Sequence, residues 1–116
     1  MSGRSVEDSR IDQQEYMRRV LDAYCQTPGT VGLVRRADRL LAAQLYQRGV
    51  SALAIENALT LAAARRLIRP EEAPPLGTIR SLAYFLPVIE EVLHLPVHPE
   101  YFRYLRQKVL RATEPR

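Results

Sequence analysis

Where the prolines and glycines fall constrains this chain more than any other feature. Thr27-Pro28-Gly29, Gly49, the run RPEEAPPLG from Arg69 to Gly77, Pro87, and the pair Pro96 and Pro99 cut it into pieces no longer than an ordinary helix. Proline lacks the N–H that a helix needs, and glycine accepts the left-handed backbone that ends one. Between the breaks, apolar residues recur at helical spacing, and no stretch alternates convincingly with period two. The expected fold is an all-α orthogonal bundle of about five helices, with no sheet beyond a short hairpin.

The first helix is expected from about Ile11 to Gln26, where Ile11, Tyr16, Val20 and Tyr24 recur with Met17 and Leu21 beside them. The second runs from Gly32 or Leu33 to Arg48 on a stripe of Val34, Ala37, Leu41 and Leu45. Gly49 suits the C′ position, and Ser51 is a good N-cap for a third helix from Ala52 to about Ile68. That helix is apolar on more than one face, which makes it the expected centre of the domain. Thr78 is the expected cap of a fourth helix through Ile79, Leu82, Phe85, Val88, Ile89 and Val92, kinked or divided at Pro87. A fifth is expected from Glu100 to about Arg111. Residues 1–10 read as a flexible segment, 11–112 as one helical domain and 113–116 as a tail.

A chain of 116 residues is enough for one domain with one core. Hydrophobic residues are 47% and charged residues 26%, which is ordinary globular usage. The apolar runs fall well short of the roughly 18 residues of a membrane span, and MSGRSVEDSRIDQQ lacks the apolar stretch of a signal peptide. A lone cysteine, Cys25, rules out an internal disulfide framework. These features lead us to expect a cytoplasmic protein that does not associate with membrane.

The formal net charge is +4, carried almost wholly by arginine, since Lys108 is the only lysine. The charge is unevenly placed. Residues 31–69 hold seven arginines against Asp38 and Glu56, whereas residues 70–95 hold Arg80 against four glutamates. Residues 96–116 are basic again. A clustered basic footprint is what a nucleic-acid binder carries, and arginine suits bidentate phosphate contacts.

LYQRGVSALAIENAL, residues 45–59, lies inside the basic stretch. Gly49 at a tight turn, Val50 after it and Ile55 six positions on fit a helix-turn-helix, with Leu45 packing from the first helix. In such a unit the start of the second helix meets base edges, which makes Ser51, Ala52, Glu56, Asn57 and Thr60 the candidates. Asparagine can read adenine and glutamate can accept from cytosine. Arg35, Arg36, Arg39, Arg48, Arg65, Arg66 and Arg69 would hold phosphates, which positions a protein without specifying sequence. The alternative is an ordinary corner between packed helices with a solvated arginine face.

Aromatic residues gather later, at Tyr84 and Phe85 and in YFRY, Tyr101 to Tyr104, beside Arg103 and Arg106. Such residues can stack bases, but more often they anchor a core or a partner surface. His94 and His98 are spaced four apart, with Pro96 between them and Pro99 beyond, and no third ligand is near in sequence. Cys25 suits packing at a helix end. No P-loop, GxSxG or GxGxxG is present. No catalytic activity, cofactor or metal is expected.

IENALTLAAARRL, the proline-rich loop and IRSLAYFLPVIEEVL resemble small helix-turn-helix-like proteins of bacterial plasmids, phages and mobile elements. More loosely, the order of helix, loop and helix is similar to DnaD-like replication-accessory domains, with Tyr84, Val88 and Ile89 matching a Y-x-x-x-I-L-type motif. The tryptophan usual after that motif is absent. The resemblance implies a setting in replication or mobile-element biology. Two functions compete: an accessory factor or regulator that binds double-stranded DNA, expected as a homodimer because one short helix reads few bases, and a non-enzymatic adaptor that binds another protein through residues 84–104.

Overall fold

In the computed structural model the described residues are 12–70, 72–94 and 99–113. They form α1 (Gln13–Gln26), α2 (Arg36–Gln47), α3 (Ala52–Leu67), a 3-10 turn (Leu82–Phe85), α4 (Leu86–His94) and α5 (Pro99–Thr113). The expected all-α bundle of five helices is what the chain adopts. Ile11, His98, the N-terminal segment and residues 114–116 lie outside the described residues. No helix among the described residues is long and apolar enough to cross a membrane.

Local chemistry sets most helix ends. Asp12 caps α1 by accepting from the Glu15 N–H at 2.9 Å. Gly49 takes φ +82, where a Cβ would be strained, so α2 can turn sharply. The Gly49 N–H donates to Tyr46 O at 3.0 Å and the Val50 N–H to Leu45 O at 3.1 Å. This is a Schellman ending, and its hydrophobic partners Leu45 and Val50 are both buried. Ser51 then caps α3 by accepting from the Ala54 N–H at 3.0 Å. Pro99 opens α5 in the first helical position, where its missing N–H costs nothing.

α3 is the axis of the bundle, packed against α1, α4 and α5, while α2 lies on α1 and the 3-10 turn. Ala58, Ala62, Ala63 and Ala64 are buried along α3 and let neighbouring backbones come close. The main core joins Val20, Tyr24, Leu45, Ile55, Leu82, Phe85 and Ile89. A second cluster, Leu61, Phe102, Leu105 and Val109, fixes α5 to α3. Tyr16 ties α1 to the α2–α3 corner by donating its hydroxyl to Val50 O at 2.7 Å. The Tyr24 hydroxyl is buried without a hydrogen-bond partner among the described residues.

Two expected boundaries need correction. Thr78 does not cap a helix, and residues 78–81 are not helical. Ile79 instead pairs with Thr30 in one isolated parallel bridge, donating to Gly29 O at 2.8 Å and accepting from the Val31 N–H at 2.9 Å. These distant partners satisfy the backbone, so helical structure begins only at Leu82. Pro87 then falls in the first turn of α4, just past the 3-10 turn, so the expected division occurs there. The second correction is that α2 begins at Arg36 rather than near Gly32. Asp38 sets that start, because its Oδ2 accepts from the Arg35 N–H at 2.9 Å.

Candidate functional site

Asp38 is only 2% exposed and uses both carboxylate oxygens. While Oδ2 holds Arg35, Oδ1 accepts from the Leu82 N–H at 2.9 Å. One side chain thus fastens the start of α2 to the start of the 3-10 turn. The segment from Gly77 to Leu82 is pinned at three places: at Leu82 by Asp38, at Ile79 by Gly29 and Val31, and at Gly77, whose carbonyl accepts from Arg66 Nη2 at 2.9 Å. Arg80 stands exposed in the middle of this strap.

Asp38 stands among the arginines that open α2, buried and with both oxygens spent on backbone N–H groups. Arg35, Arg36 and Arg39 are exposed at the N-terminal end of α2. Their guanidinium groups, and that of Arg80, form no ion pair or side-chain hydrogen bond among the described residues. Cations at this end of a helix oppose its dipole, each by about 0.3–1 kcal/mol where exposed. Asp38 is the only acidic residue in the first turn of α2. At the far end of the strap stand Arg66 and Arg69, and Arg69 Nη1 donates to Pro74 O at 2.9 Å.

The other arginines singled out from sequence are engaged inside the molecule. Arg48 reaches Glu90 with two nitrogens, at 2.8 and 3.4 Å. Arg65 reaches Glu91 in the same manner, with Nη1 at 2.8 Å. The hydrogen bond from Arg48 holds the Glu90 carboxyl below its ordinary range, and Arg65 does the same for Glu91. The acidic stretch around residue 90 is therefore the partner of part of the basic stretch before it.

The start of α3 faces neighbours more than solvent. Ala52, expected at base edges, is 5% exposed and belongs to the core, so it cannot touch a base. Ser51 is exposed, but its hydroxyl is used in capping. Arg19 grips Glu56 through Nε and Nη2 at 2.7 Å each. Asn57 Oδ1 accepts from Arg106 Nη2 at 3.3 Å, and half-buried Thr60 lines a groove of about 430 Å³ between α1, α3 and α5.

The aromatic set divides. Phe85 is 0% exposed and packs edge-on to Tyr24 and Tyr84, so its expected place on a partner surface is corrected to the core. Tyr84, Tyr101 and Tyr104 remain about half exposed, and Lys108 Nζ lies 5.5 Å from the centre of the Tyr104 ring. His94 Nδ1 is 2.8 Å from Glu90 O. Among the described residues no group of three His, Cys, Asp or Glu side chains is placed to hold a metal ion. Burial pushes the Cys25 thiol pKa up, which disfavours the reactive thiolate.

Arg80 and Asp38 were not singled out by sequence reasoning. An aspartate three residues into a helix is a recognisable capping signal, but its second bond, to residue 82, has no local signature. No protein-family model matches the chain, and neither does any curated protein or any solved structure.

Proposed function

We propose that this protein binds double-stranded DNA through the phosphate backbone, with Arg35, Arg36, Arg39 and Arg80 as the clamp. The observation that carries this reading is the set of four exposed guanidinium groups, with no ion pair among the described residues, on the two segments that one buried aspartate fastens together. Arginine donates in a planar fork that matches phosphate oxygens. The strap of six residues reaches at most about 20 Å, so it spans part of one duplex turn.

Base reading by α3 is the weaker part of the helix-turn-helix idea, because Glu56 and Asn57 already hold Arg19 and Arg106. Binding would then be weakly selective in sequence and governed by charge. An accessory or regulatory role in DNA replication or transfer, in the cytoplasm, without catalysis and as a homodimer, suits such a surface.

Fluorescence anisotropy against a random duplex at several salt concentrations tests this. Affinity should fall steeply with salt, and Arg35→Ala/Arg36→Ala/Arg39→Ala should flatten log K against log salt by roughly 0.9 per phosphate lost, about 2.7 in all. No duplex binding at low salt, or a triple variant with unchanged slope, would refute the reading.

The second reading is a protein adaptor, favoured by the exposure of Tyr101 and Tyr104 on α5. It predicts a partner whose capture is lost in Tyr101→Ala/Tyr104→Ala while duplex binding is absent throughout.

A further inference from the structure

A pocket of about 330 Å³ lies beside the last turns of α3, where Arg65, Arg66 and Arg69 meet Tyr84, Leu76 and Val88. Its charges are unequal in their compensation. Arg65 is neutralised by Glu91. Arg66 donates only to neutral oxygens, Tyr84 Oη at 3.3 Å and Gly77 O at 2.9 Å, and Arg69 only to Pro74 O. A guanidinium carries five N–H donors, so both keep donors in reserve. Among the described residues, no carboxylate pairs with either of these two positive charges.

Arg66 is also held in place. A Cβ on Gly29 would sit 3.1 Å from its Nε and 3.2 Å from its Nη2, so the absence of a side chain there leaves room for the guanidinium to lie across the backbone. Its carbon lies 6.0 Å from the centre of the half-exposed Tyr84 ring. The rest of the lining is aliphatic. The pocket thus combines two fixed cations with an apolar wall carrying an aromatic ring.

The ligand that matches is a dianion attached to something flat. A phosphomonoester carries close to two negative charges at neutral pH, equal to the uncompensated charge of Arg66 and Arg69. A planar ring beside the phosphate would lie against Tyr84, Leu76 and Val88. An internal phosphodiester has one charge and chain on both sides, which fits a concavity less well than a terminal group. We infer that this pocket binds a phosphomonoester next to a planar ring, the chemistry shared by a nucleoside 5′-monophosphate and the 5′-phosphorylated end of a nucleic-acid strand. This site is separate from the clamp at Arg35, Arg36, Arg39 and Arg80, and either can fail alone.

The test is a ¹⁵N-resolved titration of the intact protein with AMP and with adenosine, beside anisotropy on one labelled single strand bearing a 5′-phosphate or a 5′-hydroxyl. AMP should shift the amides of Arg69, Leu76, Gly77 and Tyr84, and adenosine should not. Arg66→Gln/Arg69→Gln, checked for its helical circular dichroism, should weaken AMP at least tenfold. The wild-type shifts decide the matter even where that variant fails to fold. Shifts with AMP and no preference for the phosphorylated end support the pocket with free nucleotide as the source. A preference for the phosphorylated end, abolished by the variant, supports the pocket with strand ends as the source. Equal shifts with adenosine, or no response to AMP and no preference for a phosphorylated end, overturn the proposal whatever the duplex result.

Discussion

Asp38 shows how much of this fold can rest on one side chain. Its two oxygens satisfy the N–H groups of Arg35, in a part-buried bond, and of Leu82, in a buried one. Replacing it with alanine leaves the buried Leu82 donor unpaired, at a cost of about 1–3 kcal/mol, and removes the cap on the part-buried Arg35 N–H, worth about 1 kcal/mol more. Asp38→Ala should therefore lower stability by about 2–4 kcal/mol in urea unfolding, with Asp38→Asn intermediate because it keeps one acceptor oxygen. Tyr16 is the second residue of this kind. Burial pushes its pKa from 10.0 to about 12, against a smaller opposing pull from Arg48. A raised pKa in the folded state means the stabilisation is complete below pH 10 and is lost as pH climbs towards 12. Over that window the loss should approach about 3 kcal/mol, and Tyr16→Phe should remove that share of the pH dependence, leaving the parts due to Tyr24 and Cys25, whose pKa values burial also raises. Denaturation midpoints at pH 8, 10 and 11.5 would settle it; a flat profile in the wild type would refute the assignment.

At the scale of elements, the corner between α2 and α3 was legible in the sequence. Gly49, Val50 and Ser51 each do there what their local chemistry favours: left-handed turn, buried plug and N-cap. Nothing lies within 4 Å of a Cβ added to Gly49, so Gly49→Ala would be opposed only by its backbone angle. We expect a loss of about 1 kcal/mol, read as a lower melting temperature with unchanged helix content. The start of the fourth helical region was not legible. Thr78 has a capping side chain, but Gly29 and Asp38 offer its neighbours better hydrogen bonds from far along the chain. Propensity describes a residue's own segment and cannot report an acceptor that arrives through tertiary folding. The stripe on α1 and the central place of α3 were readable because periodic apolar residues must find a shared interior.

For the whole molecule, charge was the least readable property. The basic stretch 31–69 and the acidic stretch 70–95 are separate in sequence, yet Arg48 with Glu90 and Arg65 with Glu91 join them across the bundle. What remains uncompensated is a smaller set on α2 and beside the strap, and only three-dimensional pairing could separate the two groups. The strap also bears on the order in which the protein can be made. α2 ends at Gln47, but the second bond to the carboxylate near its start comes from residue 82. During synthesis the ribosome must therefore release some 35 further residues, plus those in its tunnel, before Asp38 can close both bonds. A nascent chain arrested before residue 82 should hold α2 open to hydrogen exchange and protease near Arg36, and one arrested well beyond it should protect that site. If α2 is equally protected at both lengths, its start does not depend on the strap.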